Sequence, residues 1–270
     1  MKKNNNTSWS PVAKWYSGIV GEGGHYFHEH VILPNLKNLI DPKGGETVLD
    51  VGCGQGVYAR SLAHNVDYTG IDISKELIIE AKKLTKNNKH IYYVADATKG
   101  MPVPESSFDH AVCILAIQNT KDGSLLIENA SRALKEKGDF VIVMNHPSFR
   151  IPRQSSWGKD EAQKLEYRRV NRYLSPLEIP INAHPGLSDS PMTWTYHNPL
   201  EYYVKALKSA GMMITDLEEW TSDKVSIGKA GKAENRARSE FPMFLALRAV
   251  KIAICPKSYM PQPIPASLAK

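Results

Sequence analysis

The 270-residue chain holds only three cysteines, Cys53, Cys113 and Cys255. They are odd in number and share no metal-ligand spacing, so neither a disulfide framework nor a zinc site is expected. Long apolar runs are also missing. The longest, Ala111 to Ile117, falls far short of the roughly 20 residues that cross a bilayer. The opening Met1-Lys-Lys-Asn-Asn-Asn-Thr-Ser-Trp9 carries two positive charges with no apolar stretch behind them. A secretory signal is therefore not expected, and the chain reads as cytoplasmic with no membrane span. No internal repeat is visible. What is present, 42% apolar and 23% charged residues, is the balance of a globular protein of one large unit or two small ones.

The net charge is +6. Residues 221–257 carry eight Lys and Arg against Asp223, Glu234 and Glu240, so most of the excess lies near the end of the chain. That segment reads as a solvated face or as an anion-contacting patch.

Strand and helix signals alternate. The first eight or so residues are polar, and Val31 to Ile40 reads as a helix. Thr47 to Val51 is a short β-branched run that ends in glycines, the mark of a buried strand entering a tight turn. Val57 to His64 reads as helix and Tyr68 to Ile73 as a second strand. Ser74 is placed to cap a helix whose apolar face is Leu77, Ile78, Ala81 and Leu84. His90 to Ala95, Phe108 to Ile117 and Phe140 to Met144 read as further strands, and a helix through Leu126, Ala130, Ala133 and Leu134 is expected to close at Gly138. Such alternation with short connections implies a parallel sheet with helices on both faces.

Residues 146–197 break the pattern. They are rich in Pro, Arg, His and aromatics, and about 50 residues exceed an ordinary loop, so a lid or a substrate-binding insertion is expected. Leu200, Tyr203, Val204 and Leu207 then mark a helix ending at Gly211. Met212 to Trp220 and Phe241 to Ile254 read as two more strands. The expected organisation is an N-terminal helical cap (1–45), a core (46–145), the insertion (146–197), completion of the sheet (198–255) and an extended proline-bearing tail (256–270).

The most informative segment is Asp50-Val-Gly52-Cys53-Gly54-Gln-Gly56. Glycines at alternate positions after a buried strand let the backbone turn sharply and approach a ligand without a Cβ in the way. The helix that follows offers free N–H groups to a negative ligand group. The dinucleotide fingerprint is not met, because Val57 stands where a small third residue is needed; nor is the phosphate loop, since no Gly-Lys-Ser/Thr follows. Two acids sharpen the picture. Asp72, at the end of the second strand, is placed to accept both hydroxyls of a ribose. Asp96 follows the third strand, where it can accept an exocyclic amine.

Val48-Leu-Asp-Val-Gly-Cys-Gly-Gln-Gly56, Gly70-Ile-Asp-Ile-Ser74, Ala95-Asp-Ala97, Phe108-Asp-His-Ala-Val112 and Leu134-Lys-Glu-Lys-Gly-Asp-Phe140 together resemble the class I S-adenosylmethionine-dependent methyltransferases, in particular small-molecule enzymes similar to those of ubiquinone biosynthesis. The resemblance covers residues 46–145 well and 198–252 more loosely. It implies a Rossmann-like, doubly wound α/β fold with a seven-stranded sheet in the order 3-2-1-4-5-7-6, the last strand antiparallel. It implies S-adenosyl-L-methionine as cofactor and S-adenosyl-L-homocysteine as product. Gly52, Cys53 and Gly54 would pass beneath the methionyl part, and Asp50 would support its amino group. Asp72 and Ile73 would face the ribose, Asp96 with the Ala97 amide would read the adenine, and Leu115 to Asn119 would line the side facing the acceptor. An N-terminal segment that closes over the cofactor would give Tyr16 or Tyr26 a covering role. Lys135-Glu-Lys-Gly138-Asp departs from the family's Lys-Pro-Gly-Gly before strand five.

A methyltransferase must place the acceptor in line with the methyl and, for a hydroxyl, remove a proton. His146, directly after strand five, is the first candidate base, His197 the second and His184 a more remote third. In the insertion, arginines among aromatic residues such as Arg150, Trp157, Arg168 and Tyr196 suit a flat or acidic small molecule. The same mixture could stack on RNA. A small-molecule acceptor with an oxygen nucleophile is the leading expectation, with carbon and nitrogen close behind. RNA methylation and a non-catalytic cofactor-binding regulatory subunit remain as alternatives.

Overall fold

The structure is a computed structural model that describes residues 9–183 and 190–252. The polar start, His184, Cys255 and the proline-bearing tail lie outside the described residues.

Two short helices, α1 (Ala13–Val20) and α2 (Leu33–Leu39), precede the sheet, with a π-helical turn at His28–Ile32 between them. Then come β1 (Thr47–Val51), α3 (Val57–Ser61), β2 (Asp67–Asp72), α4 (Lys75–Leu84), β3 (His90–Val94), β4 (Phe108–Ile114), α5 (Gly123–Ala133) and β5 (Leu134–Asn145). After these follow β6 (Ser155–Asp160), β7 (Leu165–Val170), β8 (Leu177–Asn182), β9 (Met192–His197), α6 (Leu200–Ser209), β10 (Met212–Trp220), α7 (Gly231–Glu240) and β11 (Phe244–Lys251).

Seven strands form one sheet in the order β3-β2-β1-β4-β5-β11-β10. The five from β3 to β5 are mutually parallel, and β11 runs antiparallel to both β5 and β10. This is the expected 3-2-1-4-5-7-6 arrangement, with β10 and β11 as its sixth and seventh members. The chain winds outward from β1 to β3 and then crosses back to β4. A crevice therefore opens at the carboxyl ends of β1 and β4, where such sheets bind ligands.

The two-residue period of the strands divides the core. Leu49, Val51, Cys113, Phe140 and Ile142 face one layer with Leu126, Ile127, Tyr203 and Leu207 of α5 and α6. Val48, Val112, Val141 and Val143 face the other with Leu36, Tyr58, Ile78 and Ala81 of α2, α3 and α4. Burying each of the larger side chains contributes roughly 1.5–3 kcal/mol. Ser74 caps α4 as expected, its hydroxyl accepting from the Leu77 amide at 3.3 Å.

Three expectations are corrected. α5 stops at Ala133 rather than at Gly138, and Lys137 takes the left-handed turn (φ 64°) inside a β5 that already begins at Leu134. Gly138 is there for space: a Cβ would stand 2.9 Å from the Asp109 carbonyl oxygen. The segment without visible period contains two antiparallel hairpins, β6–β7 and β8–β9; β6 and β7 bury little, and β9 buries the polar Thr193, Thr195 and His197, so apolar alternation does not show. Finally, several cations near the chain's end are held internally. Arg248 donates twice to Asp139 (2.9 and 2.7 Å), Lys251 donates to the Leu134 carbonyl, and Arg238 bonds Ser226 and Glu234.

Candidate active site

The turn after β1 is built from close approach. Gly52 has φ 80°, and a Cβ on it would lie 2.3 Å from the Ala116 Cβ beyond β4. Any side chain there would pry the two strand ends apart. Gly54 also has positive φ (53°), but a Cβ on it would meet nothing within 4 Å. It faces open space.

Two carboxylates flank the turn. Asp72 accepts from the Gly54 amide at 2.9 Å and the Ser74 amide at 2.8 Å, one with each oxygen. Asp72 thus holds the glycine turn against the start of α4. Asp50 is buried, and its Oδ2 accepts from the Tyr68 hydroxyl at 2.7 Å while Oδ1 has no partner. Burial lifts the Asp50 carboxyl to about 7, against the pull of the Tyr68 hydrogen bond. Desolvation also raises Asp72, outweighing its two amide donors. Neither acid has an ion-pair partner among the described residues, so their charges are uncompensated. Such a pair favours a positively charged ligand.

A cavity of about 650 Å³ opens at this end of the sheet, lined by Gly52, Asp72, Ile73, Asp96, Ala97 and Ala116 among others. Ile73 is 47% exposed, which leaves an apolar side chain free at its wall. Desolvation raises the Asp96 carboxyl, but Thr98 and Lys99 outweigh it and hold the group below its usual range. Asp96 Oδ1 accepts from both the amide and the hydroxyl of Thr98. A smaller recess beneath the glycine turn is lined by Asp50, Cys53, Gly54, Gln55, Tyr16 and His28. The bare Oδ1 of Asp50, Oε1 of Gln55, Nδ1 of His28 and the Tyr58 hydroxyl are all buried there without a partner. Four orphaned polar atoms around one recess are far from the usual condition of buried groups.

The N-terminal segment meets this region, but not through Tyr26. The Tyr26 hydroxyl donates to Asp223, its ring stacks on His30, and it lines neither cavity. Tyr16 lines the recess and Trp9 the large cavity, their rings 5.5 Å apart. Gln55 and Arg60 tie the Gly21–Glu22 bend down through its carbonyls. Sequence reasoning missed Trp9; its only signal was a lone tryptophan at the end of a polar stretch.

The candidate bases separate. His146 is buried, donates from Nε2 to Glu219 at 2.7 Å and accepts the Ser148 amide on Nδ1 at 3.2 Å. Desolvation lowers its pKa despite Glu219. Both nitrogens are used and the ring lines neither cavity, so the structure does not bring His146 to the glycine turn. The reason is the pairing of β11 with β5: the His146 amide donates to the Met243 carbonyl, and the ring reaches Glu219 on edge strand β10. His197 instead lines a small pocket with Gln118, Asn145, Arg150 and Tyr196. Its Nε2 donates to the Tyr173 carbonyl at 2.6 Å, and burial lowers its pKa against that bond. Tyr196 lines both this pocket and the large cavity, and its buried hydroxyl has no partner among the described residues. Leu115 holds a strained positive φ (53°) at the end of β4, where its carbonyl accepts from Gln118 and Asn119; its neighbours Ile114 and Ala116 reach the cavities.

Residues 49–142 match the family model for a methyltransferase domain. The chain carries a methyltransferase domain. An S-adenosylmethionine-dependent methyltransferase from Mesorhizobium loti superposes with a TM-score of 0.63 at 26% identity, over 80% of this chain and 96% of that one. An O-methyltransferase of Pyrenophora dematioidea is 36% identical over 104 residues, 36% of this chain. This chain spans only 39% of that fungal protein's length. A candidate 23S rRNA (guanine-N(1)-)-methyltransferase of Bacillus subtilis (strain 168) is 26% identical over 217 residues, 73% of this chain and 74% of that protein. In this methyltransferase domain the glycine turn, Asp50 and Asp72 all lie within the matched residues, whereas His197 and the hairpins lie beyond them. Among the described residues, no helix is long and apolar enough to cross a membrane.

Proposed function

We propose that the chain methylates a small-molecule acceptor, at an oxygen nucleophile, using S-adenosyl-L-methionine. The observation that carries the reading is the uncompensated pair Asp50 and Asp72 on either side of a side-chain-free turn. When bound, the cofactor supplies a methyl on a sulfonium with a good leaving group. Its two positive charges, the sulfonium and the ammonium, suit the two carboxylates. Asp50 Oδ1 is the acceptor for the ammonium, with Cys53 and the unpartnered Oε1 of Gln55 around it. Gly52 and Gly54 let the backbone approach. Asp72 keeps oxygen lone pairs for ribose hydroxyls, with Ile73 as apolar wall, and Asp96 with Ala97 meets the base. Trp9 and Tyr16 cover the site and exclude water.

On the acceptor side, Leu115 holds the turn that presents Ala116, Gln118 and Asn119. His197 is the proposed proton acceptor. Its Nε2–H is committed to a carbonyl, so the other nitrogen carries the lone pair, and burial keeps the ring neutral near pH 7. Segment 146–197 is proposed as the acceptor-binding lid. The cytoplasm is the proposed compartment, where the free thiols of Cys53 and Cys113 stay reduced.

The Bacillus subtilis relative favours RNA as a second reading. Affinity measured across a salt series separates the two, because phosphate contacts weaken steeply with ionic strength. The direct test is calorimetric titration with S-adenosylhomocysteine. Binding in the wild type and at least tenfold loss in Asp72→Ala are expected; equal affinities reject the site.

A further inference from the structure

The pocket that contains His197 also contains a cation that no acid neutralises among the described residues. Arg150 lines it beside Asn145, Tyr196 and His197. The Arg150 Nε is buried without an acceptor. No acidic side chain pairs with its guanidinium among the described residues. Its neighbour is a second cation: Arg168 and Arg150 lie over the Trp157 ring at 5.1 and 5.7 Å. Arg168 is anchored, donating to the Phe149 carbonyl and the Ser155 hydroxyl, whereas Arg150 has no such bond among the described residues. Burial, with Arg168 beside it, pushes the Arg150 guanidinium down to about 10. An unpaired, partly desolvated cation is unfavourable in the free protein and calls for an anion. The guanidinium fork matches a carboxylate, which accepts two parallel N–H bonds. The pocket is only about 30 Å³ and is walled by Pro147, Pro152 and Tyr203. It is a recess for one small planar group, not a groove that tracks a phosphate chain.

We propose that Arg150 recognises a carboxylate on the acceptor, so that the substrate is a small hydroxycarboxylic acid whose carboxylate enters this recess and whose hydroxyl lies at Tyr196, which also lines the large cavity. This rests on the acceptor side of the methyltransferase reading. Arg150 is thereby a specificity-determining residue rather than a catalytic one.

The test titrates the full chain calorimetrically with a panel of hydroxybenzoates and hydroxycinnamates and with their primary amides. Each is measured with and without S-adenosylhomocysteine. At least one acid is expected to bind tenfold or more tightly than its amide, and Arg150→Gln should abolish that preference while binding S-adenosylhomocysteine as the wild type does. Arg150→Lys, which keeps the charge without the fork, should retain part of it and serves if the glutamine variant does not fold. A preference below tenfold for every acid, or one that persists in Arg150→Gln, overturns the proposal. Failure of the wild type to bind S-adenosylhomocysteine would instead strike at the cofactor reading, and the panel would still be read without it.

Discussion

Tyr68 donates its phenol to one oxygen of Asp50 at 2.7 Å and leaves the other oxygen bare inside the recess below the glycine turn. The bond fixes the carboxylate's orientation from within the core, since Tyr68 on β2 is itself buried. A side chain held on one edge and open on the other is pre-positioned for a ligand, at a cost in the free protein.

That cost has a pH signature. The Asp50 pKa in the folded protein, raised to about 7, exceeds the ordinary value near 4. Between those values the native state holds a proton that the unfolded chain lacks. The Asp50 contribution to stability is therefore fully present below about 4 and is lost as pH rises through about 7. A ligand ammonium favours the carboxylate, so S-adenosylhomocysteine binding near pH 7 should release a proton. Calorimetry in buffers of different ionisation enthalpy measures this. Release that is absent in the wild type, or undiminished in Asp50→Asn, contradicts the assignment.

The two glycines of the turn should part company on substitution. Gly52→Ala combines left-handed strain of about 1–2 kcal/mol with overlap on Ala116 worth about 1–3 kcal/mol, so the melting temperature should drop by many degrees. Gly54→Ala carries only the strain, about 1–2 kcal/mol, yet its methyl points into the open space. Thermal melts and cofactor titrations should therefore show Gly52→Ala failing in stability and Gly54→Ala chiefly in affinity. Equal melting temperatures would refute the packing argument.

Asp72→Ala should do two things at once. It removes a ligand contact and also the two amide acceptances that hold Gly54 and Ser74. Cofactor affinity should fall at least tenfold, about 1.4 kcal/mol, and the melting temperature should fall with it. Asp72→Asn keeps an acceptor oxygen and should lose less of both. A stable Asp72→Ala protein would show that the turn holds its shape unaided.

The histidines make opposite predictions. His146→Gln should lower stability by roughly 1–3 kcal/mol through the lost Glu219 and ring packing, with turnover per folded molecule unchanged. His197→Gln should lower kcat while sparing S-adenosylhomocysteine affinity. Rates on an active acceptor, normalised to folded protein, decide between them; a turnover loss confined to His146→Gln would reverse the assignment.

The glycine turn and the acids around it, proposed for the cofactor, were legible in the sequence because their signal is local. A β-branched run, a turn whose dihedrals require glycine and an acid at the end of the next strand are one-dimensional features, and the chain places Asp50, Gly52, Gly54, Asp72 and Asp96 around one cavity system. The acceptor side was not. In sequence His146 followed the fifth strand and His197 opened the helix after the insertion, and nothing local ranked one above the other by its partners. Their difference comes from partners 73 and 24 residues away, Glu219 and Tyr173, which no local pattern encodes. The hairpins β6–β7 and β8–β9 went unseen for a related reason: β6 and β7 bury little, and β9 buries the polar Thr193, Thr195 and His197, so neither hairpin shows apolar alternation.

The residue order by itself determined the sheet, its parallel sense and the glycine turn at its rim, since burial periodicity and backbone sterics act over a few residues. Only the tertiary structure decided that Tyr16 and Trp9 rather than Tyr26 meet the cavities, that Arg238, Arg248 and Lys251 of the basic C-terminal stretch are tied inward, and that Arg150, in one pocket with His197, has no counter-ion among the described residues. Those outcomes depend on which distant groups packing brings within hydrogen-bond reach, and electrostatic pairing is settled by proximity in space, not along the chain.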